Sequence, residues 1–116
     1  MGMDAAFARV AAIAASIGLP GVETGSSYGT PSLKVRGKFM ARMYDDTTLV
    51  VRVPRAEKAF LMEADPRIFF ETDHYKGYDA FLVRLDCADD ATIAGRLECA
   101  WRMQAPAWLV AGRKEK

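Results

Sequence analysis

Apolar side chains recur at every second position along three short segments between residues 33 and 53. Most of the residues between them are polar or charged, a period typical of strands with one face on a core and the other in solvent. Gly37 and the pair Asp45-Asp46 mark turns between the segments. The pattern therefore predicts three consecutive antiparallel strands. Their inward positions are Leu33, Val35, Phe39, Ala41, Met43, Leu49, Val51 and Val53.

The turn between the first two of these strands permits two registers. A two-residue turn sets Val35 opposite Lys38, which mixes apolar and charged side chains on one face. A three-residue turn with Gly37 in the left-handed conformation pairs Leu33 with Phe39 instead. The second register keeps the hydrophobic face intact, so it is the expected one.

Three helices are predicted around these strands. The alanine-rich segment 4–17 has apolar side chains at helical spacing. A second helix of about ten residues opens at Pro54, and a third begins at Asp89 or Asp90 and ends or bends at Pro106. The second helix is expected to face the core with Ala56, Phe60 and Ala64.

Two more strands are predicted at residues 68–72 and 81–85, whereas residues 19–31, rich in Gly, Ser and Thr, predict a loop. The element order is then α-β-β-β-α-β-β-α. This order predicts a single α+β domain over residues 1–116, with a five-stranded, mainly antiparallel sheet covered by helices on one face. Its core is expected at about residues 3–110, followed by a frayed C-terminal tail.

The charge balance excludes a generally basic nucleic-acid binder, since 16 Lys and Arg against 15 Asp and Glu leave a net charge of +1. No run is long enough to span a bilayer, and the alanine-rich start lacks the pattern of an export signal. A cytoplasmic location is therefore expected. Cys87 and Cys99 are expected to be reduced, buried and inert.

Basic residues are nevertheless concentrated on the predicted sheet, on the face that helices leave open. Cations on such a surface bind DNA phosphates weakly and with little sequence preference. The alternative is an ordinary solvated strand face. No aromatic residue alternates with these cations, so base stacking is not expected there. The candidate nucleic-acid contacts are Lys34, Arg36, Lys38, Arg42, Arg52 and Arg84.

A second candidate site surrounds the single histidine, in the polar, aromatic loop at residues 73–80. Its members are the histidine and several tyrosines, which suit a small-ligand pocket or a protein-interaction site. A homodimer formed through an exposed sheet edge belongs to the same alternative. The simpler interpretation is a strand-end cap with tyrosines packed on the sheet edge. The candidate residues are Tyr28, His74, Tyr75 and Tyr78.

Catalysis, metals and cofactors are not expected. Ser26 and Ser27 follow a glycine in a loop without the strand that leads into a nucleophile elbow. One histidine and two cysteines without ligand spacing do not form a zinc site, and Asp4 alone on the first helix does not make an iron-binding carboxylate array.

Three segments together resemble the MmcQ/YjbR family of small bacterial proteins: LPGVE at residues 19–23, GKF at 37–39 and His74-Tyr75 ahead of the fifth strand. The resemblance spans about residues 3–110. It implies a fold similar to frataxin and to double-wing DNA-binding domains, and the label of a predicted DNA-binding protein of unknown function. It supplies no catalytic or ligand residue. Family members often carry tryptophan where this chain has Ala80-Phe81.

Overall fold

An antiparallel sheet forms the centre of the molecule in a computed structural model that describes residues 2–114. Its strands are β1 (Val22–Ser27), β2 (Thr30–Val35), β3 (Lys38–Asp45), β4 (Thr48–Arg52), β5 (Phe69–Phe70) and β6 (Ala80–Arg84). Within the described residues these six strands lie in the order β1-β2-β3-β4-β6-β5, and every neighbouring pair is antiparallel. The predicted α+β class is confirmed.

The expected count of five strands is wrong, because the segment predicted as a loop contains β1. Six residue pairs join β1 to β2, from Val22 with Val35 to Ser27 with Thr30. Tyr28 and Gly29 form the turn between them with φ of 54° and 81°, the positive values that two-residue hairpin turns require. Most of β1 is exposed on both faces, so it carries no apolar alternation that would have revealed it.

The expected register between β2 and β3 is also wrong. The turn has two residues, Arg36 and Gly37, with φ of 53° and 80°. A β-bulge then restores the hydrophobic face, since Leu33 pairs with Ala41 and the pairing skips Met40. Met40 and Ala41 are consequently both buried in the core. The sequence pattern alone does not distinguish a longer turn from a tight turn followed by a bulge.

Helices pack mainly on one face of the sheet. They are α1 (Gly2–Ile17), α2 (Arg55–Ala64), α3 (Asp90–Gln104) and α4 (Ala107–Lys114). Side chains of α1 and α3 join those of the sheet in the main core, where Trp101 is fully buried and its indole N–H donates to the Pro20 carbonyl at 2.8 Å. Asp89 caps α3 by accepting from the Thr92 amide. None of the helices in residues 2–114 is long and apolar enough to cross a membrane.

Past Pro106 the chain forms a fourth helix, α4, which the sequence pattern did not predict. Arg113 of α4 donates to the Ile17 carbonyl and to Glu98, which ties this helix to α1 and α3. The part of the predicted frayed tail at residues 115–116 lies outside the described residues.

The inner side of α2 differs from the prediction. Ala56, Phe60 and Ala64 are exposed, whereas Lys58 is only 4% exposed and Leu61 is half-buried. The reason is that α2 lies at the β5–β6 end of the sheet and directs Lys58 toward the loop beyond β5.

The expectation of two buried thiols fails for Cys87, which is exposed. Cys99 is half-buried, and its Sγ lies 3.4 Å from Oε1 of Glu57. Burial raises the pKa of the Cys99 thiol, which keeps it protonated and unreactive at neutral pH.

Candidate ligand-binding pocket

The sheet face opposite the main core is not the open surface that the sequence predicts. Val50 and Leu82 on this face are fully buried, and they pack with Ala80 and Tyr75 in a second, smaller apolar cluster. Tyr75 belongs to a 3-10 turn at Asp73–Tyr75 that folds back over the strands. The loop after β5 therefore covers part of the face that was expected to carry a continuous layer of cations.

The six cations predicted to contact DNA occupy three different environments. Arg36 and Lys38 are exposed at the β2–β3 turn, and Lys34 is half-buried on β2 beside them. Arg84 lies 3.9 Å from the centre of the Phe70 ring and donates to two backbone carbonyls, which fixes it against the sheet edge. The remaining two, Arg42 and Arg52, line a cavity. The register places Lys34, Arg42, Arg52 and Arg84 on one face of the sheet, as predicted, but the loop after β5 covers part of that face.

That cavity, the aromatic pocket, has a volume of 360 Å³, within the range of small-ligand sites. It combines all four residues of the alternative site with two of the six predicted DNA contacts. Its lining is Tyr28, Phe39, Arg42, Arg52, His74, Tyr75, Tyr78 and Ala80. Residues that were predicted to belong to two different sites, a DNA-binding face and a ligand pocket, therefore line the same cavity.

Two hairpin-like segments position the aromatic rings. Tyr28 projects from the β1–β2 turn and is 86% exposed, with the Arg42 guanidinium 5.3 Å from its ring centre. In the loop after β5, the ring centres of His74 and Tyr78 lie 5.6 Å apart with the planes tilted by 32°. Tyr75 meets both of these rings edge-on. The aromatic wall is therefore built from mutually packed rings rather than from isolated side chains.

Lys58 of α2 anchors the loop that carries this wall. Its ammonium group donates to the backbone carbonyls of Tyr75 and Tyr78, both at 2.9 Å, and forms an ion pair with Glu71 at 2.8 Å. Three acceptors thus use all three N–H bonds of the buried ammonium group. Arg55 reinforces the same loop from outside, through Asp79 and the Gly77 carbonyl. No sequence pattern indicated a role for Lys58, because a lysine in an amphipathic helix is normally solvated.

The two arginines of the pocket differ in how far the protein satisfies them. Arg42 donates to the Tyr75 hydroxyl at 2.6 Å, to the Met43 carbonyl and to the Thr30 hydroxyl. Arg52 donates to no partner among residues 2–114. Its Nε is buried without a partner, as is that of Arg42, while its terminal nitrogens remain accessible to solvent. Arg52 is therefore free to bind something that enters the pocket.

The electrostatic balance of the pocket is positive. Neither arginine has a carboxylate within 4 Å in the described part of the chain, and the lining residues include no Asp or Glu. With His74 neutral, the lining carries a charge of +2 from its two arginines. A concave, partly desolvated site of one sign attracts ions of the opposite sign. Within residues 2–114, no group of His, Cys, Asp and Glu side chains could hold a metal ion.

The comparisons with known proteins support the resemblance found in the sequence. The family model YjbR matches residues 17–103. The chain belongs to the YjbR family. The match includes every residue of the aromatic pocket. The family assignment thus agrees with the resemblance, and the pocket lies within the part of the chain that the family model matches.

The similar curated proteins carry the description "uncharacterized protein". Mb2600 of Mycobacterium bovis and Rv2570 of Mycobacterium tuberculosis are each 41% identical to this YjbR-family chain over 61 residues. The match covers 52% of this chain and 47% of each relative, so the chain spans about half the length of the curated relatives that it matches. No solved structure gives a significant match.

Proposed function

We propose that this YjbR-family domain binds a small organic anion in the aromatic pocket and does so without catalysing a reaction. The observation that carries the proposal is the Arg52 guanidinium, which lines the cavity with neither a carboxylate nor a hydrogen-bond acceptor among the described residues.

An unpaired cation in a partly buried site is costly, because desolvation is not offset by a partner. A ligand with an anionic group removes this cost and gains charge-assisted hydrogen bonds to the planar guanidinium. Arg42 contributes charge from beside it, while its own bonds to Tyr75 and Met43 keep it in place. The pocket is thus organised for an anion before the ligand arrives.

Calorimetric titration with ribose 5-phosphate tests this proposal, because the probe carries an anionic group and no aromatic ring. We expect saturable binding at constant ionic strength, weakened about tenfold or more by Arg52→Gln, since a hydrogen bond to a charged group contributes about 1.5–3 kcal/mol. The substitution removes the charge but keeps a long polar side chain, so the fold is expected to remain intact.

Lys38→Gln is the matched control, since it removes one positive charge from an exposed position of the neighbouring hairpin outside the pocket. We expect it to leave the affinity for ribose 5-phosphate unchanged within a factor of about two, because exposed charges are screened at moderate salt. Equal losses in Arg52→Gln and Lys38→Gln would mean that general basicity attracts the probe, and would rule out the pocket as its site.

DNA binding through the β2–β3 turn is the second candidate function. The observation in its favour is Trp108 of α4, which is 63% exposed and lies 5.5 Å from the Arg36 guanidinium. Arg36, Lys38 and Trp108 line one shallow cavity. An aromatic ring beside cations supplies base stacking as well as phosphate contacts. Sequence periodicity did not anticipate this ring, because α4 brings it to the turn from the end of the chain.

Fluorescence anisotropy of labelled single-stranded and double-stranded DNA over a salt series measures this second function. With Lys34, Arg36 and Lys38 as the phosphate contacts, the logarithm of affinity is expected to fall against the logarithm of salt with a slope of about −3. Charge reversal at all three positions should abolish the slope, whereas Arg52→Gln should not change it. An absence of binding at low salt eliminates this candidate and leaves the pocket unaffected.

A further inference from the structure

We infer that the anion bound in the aromatic pocket is a nucleoside monophosphate, with its phosphate on Arg52 and Arg42 and its base against the tyrosines. The inference rests on the proposed function, and it adds the ligand class. It depends on two independent features of the pocket: its charge, and the aromatic surface left uncovered on its walls.

The charge of the lining favours a phosphate monoester over a carboxylate. Two arginines contribute +2, and the described lining contains no acidic side chain to offset them. A phosphate monoester carries about −1.5 to −2 at neutral pH, whereas a carboxylate carries −1. The phosphate therefore neutralises both arginines, and two of its terminal oxygens accept from the two terminal nitrogens of Arg52.

The aromatic surface of the walls favours a ligand with a flat ring. Tyr28 is 86% exposed and Tyr78 is 52% exposed, although both belong to the pocket lining. Exposed tyrosine rings that line a cavity lose apolar contact with water when a planar base stacks on them. The Arg42 guanidinium lies over one face of the Tyr28 ring, so a cation and an exposed aromatic ring are in contact within the pocket.

The lining also indicates what the pocket does not select. Ribose hydroxyls are typically recognised by an acidic side chain in dinucleotide sites, and no such residue lines this pocket within residues 2–114. Stacking on tyrosine tolerates any base, since every base has a flat face. Discrimination among bases and between ribose and deoxyribose is therefore expected to be weak.

Calorimetric titration with three probes tests the inference: adenosine 5′-monophosphate, ribose 5-phosphate and adenosine. The monophosphate nucleotide should bind about tenfold more tightly than ribose 5-phosphate, the gain expected when one base stacks on an aromatic side chain. Adenosine should bind more weakly than the nucleotide by at least the same factor, because it lacks the phosphate.

Variants of the aromatic wall separate stacking from charge. The double variant Tyr28→Ala/Tyr78→Ala should lower the affinity for the nucleotide by about tenfold more than it lowers the affinity for ribose 5-phosphate. Both rings are exposed, so the variant is expected to fold normally. Tyr44→Ala, which removes another exposed tyrosine outside the pocket, should change neither affinity.

Each outcome decides a separate question. Equal affinities for the nucleotide and for ribose 5-phosphate, both reduced by Arg52→Gln, overturn the inference about the ring and leave the anion site standing. Adenosine binding as tightly as the nucleotide overturns the phosphate assignment and with it the proposed function. No Arg52-dependent binding of any probe overturns both.

Discussion

Lys58→Met is expected to lower the free energy of unfolding by about 3 kcal/mol, the loss typical when one partner of a buried ion pair is removed. Lys58 is 4% exposed, and its ammonium group donates to Glu71 and to the carbonyls of Tyr75 and Tyr78. Methionine fills the same space but leaves three acceptors without a donor. The loop that forms the aromatic wall should loosen as well, so ligand affinity should fall along with stability.

Urea denaturation of the purified variants measures this effect, with two controls. Lys76→Met removes an exposed lysine from the same loop and should cost under about 1 kcal/mol, as surface ion pairs do. The double variant Lys58→Met/Glu71→Leu should recover part of the loss, because it removes the unpaired carboxylate. A Lys58→Met variant as stable as Lys76→Met would contradict the role assigned to the buried ammonium group.

Trp101→Ala is expected to cost about 4 kcal/mol, within the range for deleting a large buried aromatic side chain. Trp101 is fully buried in the main core, and its indole N–H donates to the Pro20 carbonyl, which joins α3 to the segment ahead of β1. Removal leaves a cavity and an unsatisfied carbonyl. Thermal and urea denaturation should both report the loss.

Trp101→Phe separates the two contributions, since it keeps most of the ring volume and loses the hydrogen bond. We expect it to cost roughly 1–2 kcal/mol. Because Trp101 lies on the opposite face of the sheet from the pocket, Trp101→Phe should bind ribose 5-phosphate with unchanged affinity. A loss in Trp101→Phe as large as that in Trp101→Ala would show that the hydrogen bond, not the volume, stabilises this part of the core.

The apolar alternation of the central strands was sufficient to predict the α+β class and the strands β3, β4 and β6. It missed β1, because an edge strand exposed on both faces has no buried residues to alternate. It also gave the wrong register at Arg36-Gly37, because a bulge at Met40 compensates for the tight turn. Local patterns of this kind indicate which residues face the core, but they do not indicate the turn lengths and bulges of the backbone.

The candidate site was predicted in its parts and not as a whole. Tyr28, His74, Tyr75 and Tyr78 do come together, as proposed for the alternative site. Arg42 and Arg52 join them because both project from the sheet face that is covered by the loop after β5. Sequence periodicity does not show that this loop folds back over the strands. The role of Lys58 in anchoring the loop could not be predicted for the same reason, since its hydrogen-bond partners are distant in sequence.

The central claim is that anions bind in the aromatic pocket rather than on the basic β2–β3 turn. A titration of the isotopically labelled protein with inorganic phosphate at constant ionic strength, followed by NMR, locates the anion directly. We expect saturable shifts of the Arg52 side-chain Nε–H signal and of the backbone amides of Tyr75, Tyr78 and Ala80, with the amides of Arg36 and Lys38 unaffected. Shifts confined to Arg36, Lys38 and Trp108 would contradict it.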